Sequence, residues 1–379
     1  MRKPVKLLAA LAVLVTVGGM LLHFQVRRAE QNTRALPSGS PNLESTSQGR
    51  PALRSQPAPP AAGAVEQRDA EPAGSLALKL PREAIEEYLR LHNRSAQSLL
   101  VAFHASGDAQ NPGDLNYLKE AATNFPGDVQ VQLAVLLHDV FPEARRQWVD
   151  ALKASSPGDS LANYLSAQDY LKKGQPDAAV KELLEASNKP QFAAFTMETY
   201  LDTKELYRAN GKSPLESSQA AMSGMVDDLL PELSTLKGLA RSTSELQKQY
   251  ADGGDNASAE NLAQFNLGLA NRLTGGDSGK MVISQLVGMA VEAIALSNLE
   301  PNTSYDFLDG ETPNQRKEEL KQQRASIRQL SQSFQSAVPN LTETEMENFE
   351  ERERIYGELP AMRWIVEQRG TKSTRQGGP

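Results

Sequence analysis

The stretch PGDVQVQLAVLLHDVFPEARRQWVDALKASSPGDSLANYLSAQDYLKKGQPDAAVKELLEASNKP, residues 126–190, decides the fold. Pro126-Gly127-Asp128 returns thirty-one residues later as Pro157-Gly158-Asp159, and Lys189-Pro190 closes the stretch. Each Pro-Gly-Asp reads as a stop and a restart. Proline and glycine end one helix, and the Asp carboxylate accepts from the free N–H groups of the next. Leu133, Leu136, Leu137 and Val140 follow Asp128; Leu161, Tyr164, Leu165 and Leu171 follow Asp159, and both sets are spaced for one helical face. Gly174 suits the left-handed residue that closes a helix, and Pro176 suits the first turn of the next. The second helix of each unit opens at Pro142-Glu143-Ala144 and at Pro176-Asp177-Ala178, thirty-four residues apart. Trp148, Val149 and Leu152 are expected to face inward in one, and Val180, Leu183 and Leu184 in the other.

A period of 31–34 residues with two helices per unit resembles the tetratricopeptide repeat. In the second unit Ala167, Tyr170, Gly174, Ala179, Leu183 and Ala186 fall near that family's small–aromatic–glycine–small–large–small spacing, and Pro190 falls one residue short of its closing proline. The first unit departs from the pattern, with a shorter linker and Val140-Phe141 where the glycine belongs. The resemblance covers residues 115–190, about a fifth of the chain. It implies stacked helix pairs with a concave surface suited to extended segments or helices of a protein partner. Any array of antiparallel helical hairpins gives the same apolar spacing, and two units need neighbouring helices to complete a core. The expected fold class is therefore all-α: antiparallel helix pairs, tetratricopeptide-like in part, packed as a helical array or bundle.

N-terminal to this body, Arg2, Lys3 and Lys6 precede an apolar run over residues 7–24, and Arg27-Arg28 follow it. Eighteen residues without a formal charge are about the minimum for a transmembrane helix. The basic flank keeps the N-terminus cytoplasmic and exports the body, into the periplasm in a bacterial setting. The alternative is secretion after signal cleavage, although no small-x-small site follows the run. Residues 31–75 hold seven prolines among Ser, Ala, Gly and Gln, and read as a disordered tether.

From residue 81 the pattern is helical. Ile85, Tyr88, Leu89, His92, Ala96, Leu99, Leu100 and Phe103 predict one amphipathic helix over 81–103, with His92 as a hydrogen-bonded core histidine. Phe192, Phe195 and Thr199 open a helix that ends near Asn210-Gly211. Ser213-Pro214-Leu215-Glu216 is a capping box, and a separate helix is expected over Glu232–Tyr250. Leu262, Phe265, Leu269 and Leu273 mark another helical face. Gly275 to Lys280 is not a phosphate loop, because Thr274 and Met281 stand where that motif needs Gly and Ser/Thr. Met281–Leu299 reads as a buried helix, with a second membrane span as the alternative. Tyr305–Glu311 reads as an acidic surface loop. Capping boxes at Thr312–Gln315 and Thr342–Glu345 open the two helices of a C-terminal hairpin. Leu320, Ile327 and Phe334 form its seam, and Met346, Phe349 and Tyr356 the face of its second helix.

The organisation predicted is residues 1–28 anchor or signal segment, 29–80 Pro-rich linker, 81–210 repeat-like region and 211–300 helical core. Residues 301–369 follow as the C-terminal hairpin, and 370–379 as a basic disordered tail. The absence of cysteine excludes disulfides, thiolate metal sites and a cysteine nucleophile. Charge is divided: residues 1–79 hold ten Lys/Arg and five Asp/Glu, and the other three hundred hold thirty and forty-two. So acidic a body argues against nucleic-acid binding. No catalytic motif appears, the four histidines lack partners at ligand spacing, and carboxylates abound without a spacing that selects a pair. No residue is therefore assigned a catalytic, cofactor-binding or metal-binding role. The reading favours a membrane-anchored, non-catalytic scaffold for a protein partner. The alternatives are a structural or self-associating (homo-oligomeric) envelope protein and, behind it, an enzyme with an unrecognised carboxylate site.

Overall fold

Caps and breakers divide the body into helices. The computed structural model describes residues 80–107, 113–193 and 196–376. The predicted anchor over 7–24, the linker to residue 79, Phe195 and the last three residues lie outside them. Among the described residues there are fourteen α-helices, and the only β pairing is one isolated parallel bridge between Asp159 and Gln191. In chain order the helices are α1 (Arg82–Leu91), α2 (Ala96–Ser106), α3 (Leu115–Asn124), α4 (Val129–Leu137), α5 (Arg145–Ser155), α6 (Leu161–Lys172) and α7 (Pro176–Ser187). Then come α8 (Thr196–Ala209), α9 (Pro214–Asp252), α10 (Asn256–Thr274), α11 (Val282–Ala295), α12 (Pro313–Ala337), α13 (Glu343–Tyr356) and α14 (Glu358–Gln376).

The repeat-like region folds by its local signals. Asp128 Oδ1 accepts from the N–H groups of Gln130 and Val131 at 3.0 Å, so α4 starts there. Asp159 Oδ1 accepts from Leu161 N–H at 2.9 Å and Oδ2 from Ala193 N–H at 3.2 Å, tying the start of α6 to the segment beyond α7. Gly174 has φ +68°, and Pro176 opens α7. Helix α4 packs on α5, α5 on α6 and α6 on α7. Leu133, Leu136, Val149, Leu152, Leu161, Tyr164, Leu165 and Leu183 share one core. Leu184 does not join it and is 53% exposed. One residue turns a helix by about 100°, which carries Leu184 off the face that Leu183 buries.

The predicted helix over 81–103 is two helices. Asn93 and Arg94 take φ +53° and +47°, and Ser95 then caps α2 by accepting from Ser98 N–H at 3.3 Å. Arg94 holds the break, donating to Glu86 at 2.8 Å and to Glu120 at 2.6 Å. His92 is therefore not a core histidine. It is the exposed C-cap of α1, its ring 4.2 Å from that of Tyr88.

The capping box at Ser213 does not open a short helix before a separate one over 232–250. The two are a single 39-residue helix, α9, with Pro231 inside it. Proline removes one backbone hydrogen bond; packing along the helix compensates, because α9 contacts α2, α4, α6, α8, α10, α11 and α13. It is about 58 Å long at 1.5 Å per residue and is the axis of the body, with Leu233, Leu236, Leu239 and Ala240 buried.

Helix α11 is buried, as its apolar composition predicts, and its 14 residues are too few to span a bilayer. Among the described residues no helix is long and apolar enough to cross a membrane. Glu292, which interrupts the apolar run, is 7% exposed and pairs with Arg316 of α12.

The C-terminal hairpin gains a third helix. Residues 370–376, expected as disordered tail, continue α14, which packs on both α12 and α13. Gly357, at φ +92°, separates α13 from α14, and a Cβ there would stand 2.8 Å from the Lys280 backbone. Leu320, Ile327 and Phe334 are buried as the seam predicts. Tyr356 is not: it is 60% exposed, and Glu353 takes the inward position on α13 at 5%.

Candidate functional site

Two features combine concavity or burial with charge. The first is a groove of about 460 Å³ between the end of α4, the start of α5, the end of α6 and Thr235 of α9. Leu136, Leu137 and Tyr170 supply its apolar surface. Asp139, at φ +48°, turns the chain out of α4 so that Pro142 and Glu143 form the lip. Arg145 is fixed by Asp169 at 2.9 Å, by Asp139 at 3.5 Å and by the Leu136 carbonyl at 2.7 Å. Arg146 lies 5.2 Å from the Tyr170 ring centroid, donates to Ser166 at 2.7 Å and pairs with Asp150. Lys172 and Lys173 stand exposed on the rim, and neither pairs with a carboxylate among the described residues. The groove thus offers apolar contact, rigid guanidinium donors and two uncommitted positive charges.

The second feature is a buried carboxyl junction where α13 and α14 meet α8, α9 and the start of α11. Glu350 pairs with Lys204 of α8 at 2.9 Å, both side chains below 10% exposure, and with Arg208 at 3.7 Å. Ser218 of α9 donates to Glu350 at 3.0 Å. Glu358 accepts from Val282 N–H at 2.6 Å, capping α11. Glu353 has the Tyr200 hydroxyl as partner, and Tyr200 is 2% exposed with Lys204 5.8 Å from its ring. Burial, then the charge of Glu358, pushes Glu353 up to about 8; burial pushes Glu358 up to about 7. Lys204 and the rim cation Arg208 both pair with Glu350, and the pull of Lys204 on Glu353 is outweighed by burial and the charge of Glu358, so ionisation of Glu353 is disfavoured near neutral pH. The interleaved Lys/Arg and Asp/Glu of this stretch predict a solvated face. A signal was there: Glu353 lies four residues after Phe349 and seven after Met346, on the apolar stripe.

The histidines do not join either feature. His104 is buried on α2 beside Phe103, and His138 meets the same ring edge-on at 4.7 Å. In the Gly275–Lys280 loop, glycine serves packing: a Cβ at Gly279 would fall 2.1 Å from the Thr274 carbonyl oxygen. The Tyr305–Glu311 segment closes on itself, Tyr305 N–H donating to the Glu311 carbonyl at 3.2 Å and Gly310 N–H to that of Tyr305 at 3.1 Å. No group of three or more candidate metal ligands occurs among the described residues.

Geometry therefore defines an all-α array around one long axial helix. Comparison with protein-family models finds no match, and comparisons with curated proteins and with solved structures find none either.

Proposed function

We propose that this chain is a membrane-anchored, non-catalytic scaffold whose helical body, held outside the cytoplasm on a Pro-rich tether, binds a segment of another protein. The observation that carries the reading is the groove of about 460 Å³ with its apolar wall and rim lysines that pair with no carboxylate among the described residues. Its occupant is an extended segment bearing apolar and acidic side chains. Leu136, Leu137 and Tyr170 receive the former, and Lys172 and Lys173 attract the latter. The positive flank of the apolar run 7–24 supports the anchor and its orientation. The alternative of self-association has less to draw on, because Leu320, Ile327 and Phe334, the heptad residues behind it, are already buried within the chain.

Crosslinked co-purification with the full chain tests the proposal when run beside the charge-reversed variant Lys172→Glu/Lys173→Glu. Both lysines are exposed, so the fold should persist, as far-UV circular dichroism would register. The expected result is a distinct partner recovered by the native chain and lost from the variant. Undiminished recovery by the variant would remove the groove from the interaction. Recovery of this chain alone would support the self-associating alternative.

A further inference from the structure

The carboxyl junction lies away from the groove and has no part in the binding proposed for it. Gly357 lies so close to Lys280 that no side chain fits between them, which seats the α13–α14 turn directly on the start of α11. On that seat, the groups facing Glu353 and Glu358 are few. Among the described residues, α8 brings Tyr200, Lys204 and Arg208; α13 brings Glu350; α9 brings the Ser218 hydroxyl; and α11 brings the Val282 N–H. Lys280 turns its ammonium to Asp277 at 2.9 Å. Lys204 is committed to Glu350 at 2.9 Å. Among the described residues no ion pair joins a cation to Glu353 or Glu358; Glu353, 5% exposed and beside Glu358, therefore fits the seat as a neutral acid, and the seat does not favour the two as a pair of anions.

We propose that this junction is a proton-operated latch: protonated Glu353 and Glu358 hold α13 and α14 against α8, α9 and α11, and their ionisation releases the two helices from that seat. The direction follows from linkage. Burial raises both carboxyls above their ordinary value of 4.5, to about 8 and about 7. Closure is then favoured most below 4.5, weakens as pH rises, and loses this contribution once pH passes about 8. Ionisation of Glu358 leaves it the α11 cap, so Glu353, with no backbone donor, is the more sensitive member.

Hydrogen exchange on the full chain, corrected for intrinsic rates, tests the latch. Between about pH 5.5 and about pH 8.5, amide protection over residues 343–369 should fall roughly tenfold or more relative to that of α6 and α7. The Glu353→Gln/Glu358→Gln variant should keep its protection at both values. Equal protection of the native chain at the two pH values would overturn the latch, as would pH-dependent loss in the glutamine variant. A second readout does not depend on that variant folding. Trp364 of α14 lies 4.7 Å from the Arg352 guanidinium, and Trp148→Phe leaves it the sole tryptophan of the chain. Its emission should move to longer wavelength with a midpoint between about 7 and about 8; emission that stays constant over this range would overturn the proposal.

Discussion

Glu232 is the residue whose environment conflicts most with its chemistry. It is 4% exposed, one residue past Pro231 on the axial helix, and its Oε1 has no hydrogen-bond partner among the described residues. Burial first, and the charge of Asp159 second, push its carboxyl up to about 7. A raised acid favours the folded state at low pH, and that contribution disappears as pH rises from 4.5 through about 7. Glu232→Gln removes the charge at every pH. It should stabilise the fold at about pH 8 by on the order of 3 kcal/mol and give no gain near about pH 4.5. Urea unfolding at both values would show this; equal gains at the two would mean that the benefit is not electrostatic. Residues whose partners lie within a few positions were legible in the sequence. Asp128 finds its N–H donors two and three residues on, and Gly174 needs only its own φ of +68°. Glu232 and Glu353 were not, because their burial is decided by helices distant in sequence, and composition alone makes a glutamate a surface residue.

At the scale of the element, the three capping boxes at Ser213, Thr312 and Thr342 all form, with reciprocal bonds to Glu216, Gln315 and Glu345. They were readable because both partners of each box sit three residues apart. Ser213→Ala loses the acceptor for Glu216 N–H and should cost about 1 kcal/mol, shifting the urea midpoint without changing the slope. No measurable shift would mean that this end of α9 is held by its neighbours instead. What the sequence concealed were breaks and continuities that local rules judge wrongly. The stripe from Ile85 to Phe103 is unbroken in period, yet Arg94, bonded to both Glu86 and Glu120, stabilises a left-handed turn in its middle. Pro231 reads as a helix boundary, yet α9 runs through it because seven other helices pack along its length. The third C-terminal helix was missed for the same reason. Its residues 370–376 are polar and basic, and their helical state follows from α14 already being seated on α12 and α13.

For the whole molecule, these raised acids should set the pH at which the fold is strongest. Glu232, Glu353 and Glu358 are all raised, to about 7, about 8 and about 7, and each withdraws stability as pH climbs above 4.5. The opposing groups are at the surface. The Arg94 hydrogen bond lowers Glu86, and the Ser213 N–H lowers Glu216, so their contributions are lost as pH falls below 4.5. Their exposure keeps those losses small. Stability should therefore peak near about pH 5 and decline towards about pH 8, unlike an acidic protein whose carboxylates are mainly solvated or salt-bridged. With three protons at stake, the melting temperature should drop by roughly 10 °C between about pH 5.5 and about pH 8.5. Calorimetry of the full chain over this interval decides the matter. Glu232→Gln and Glu353→Gln should each flatten part of the slope, in the axial core and at the C-terminal seat respectively. A melting temperature that rises or stays level towards pH 8.5 would mean that water reaches these carboxyls, and the reasoning from burial would fail for all three at once.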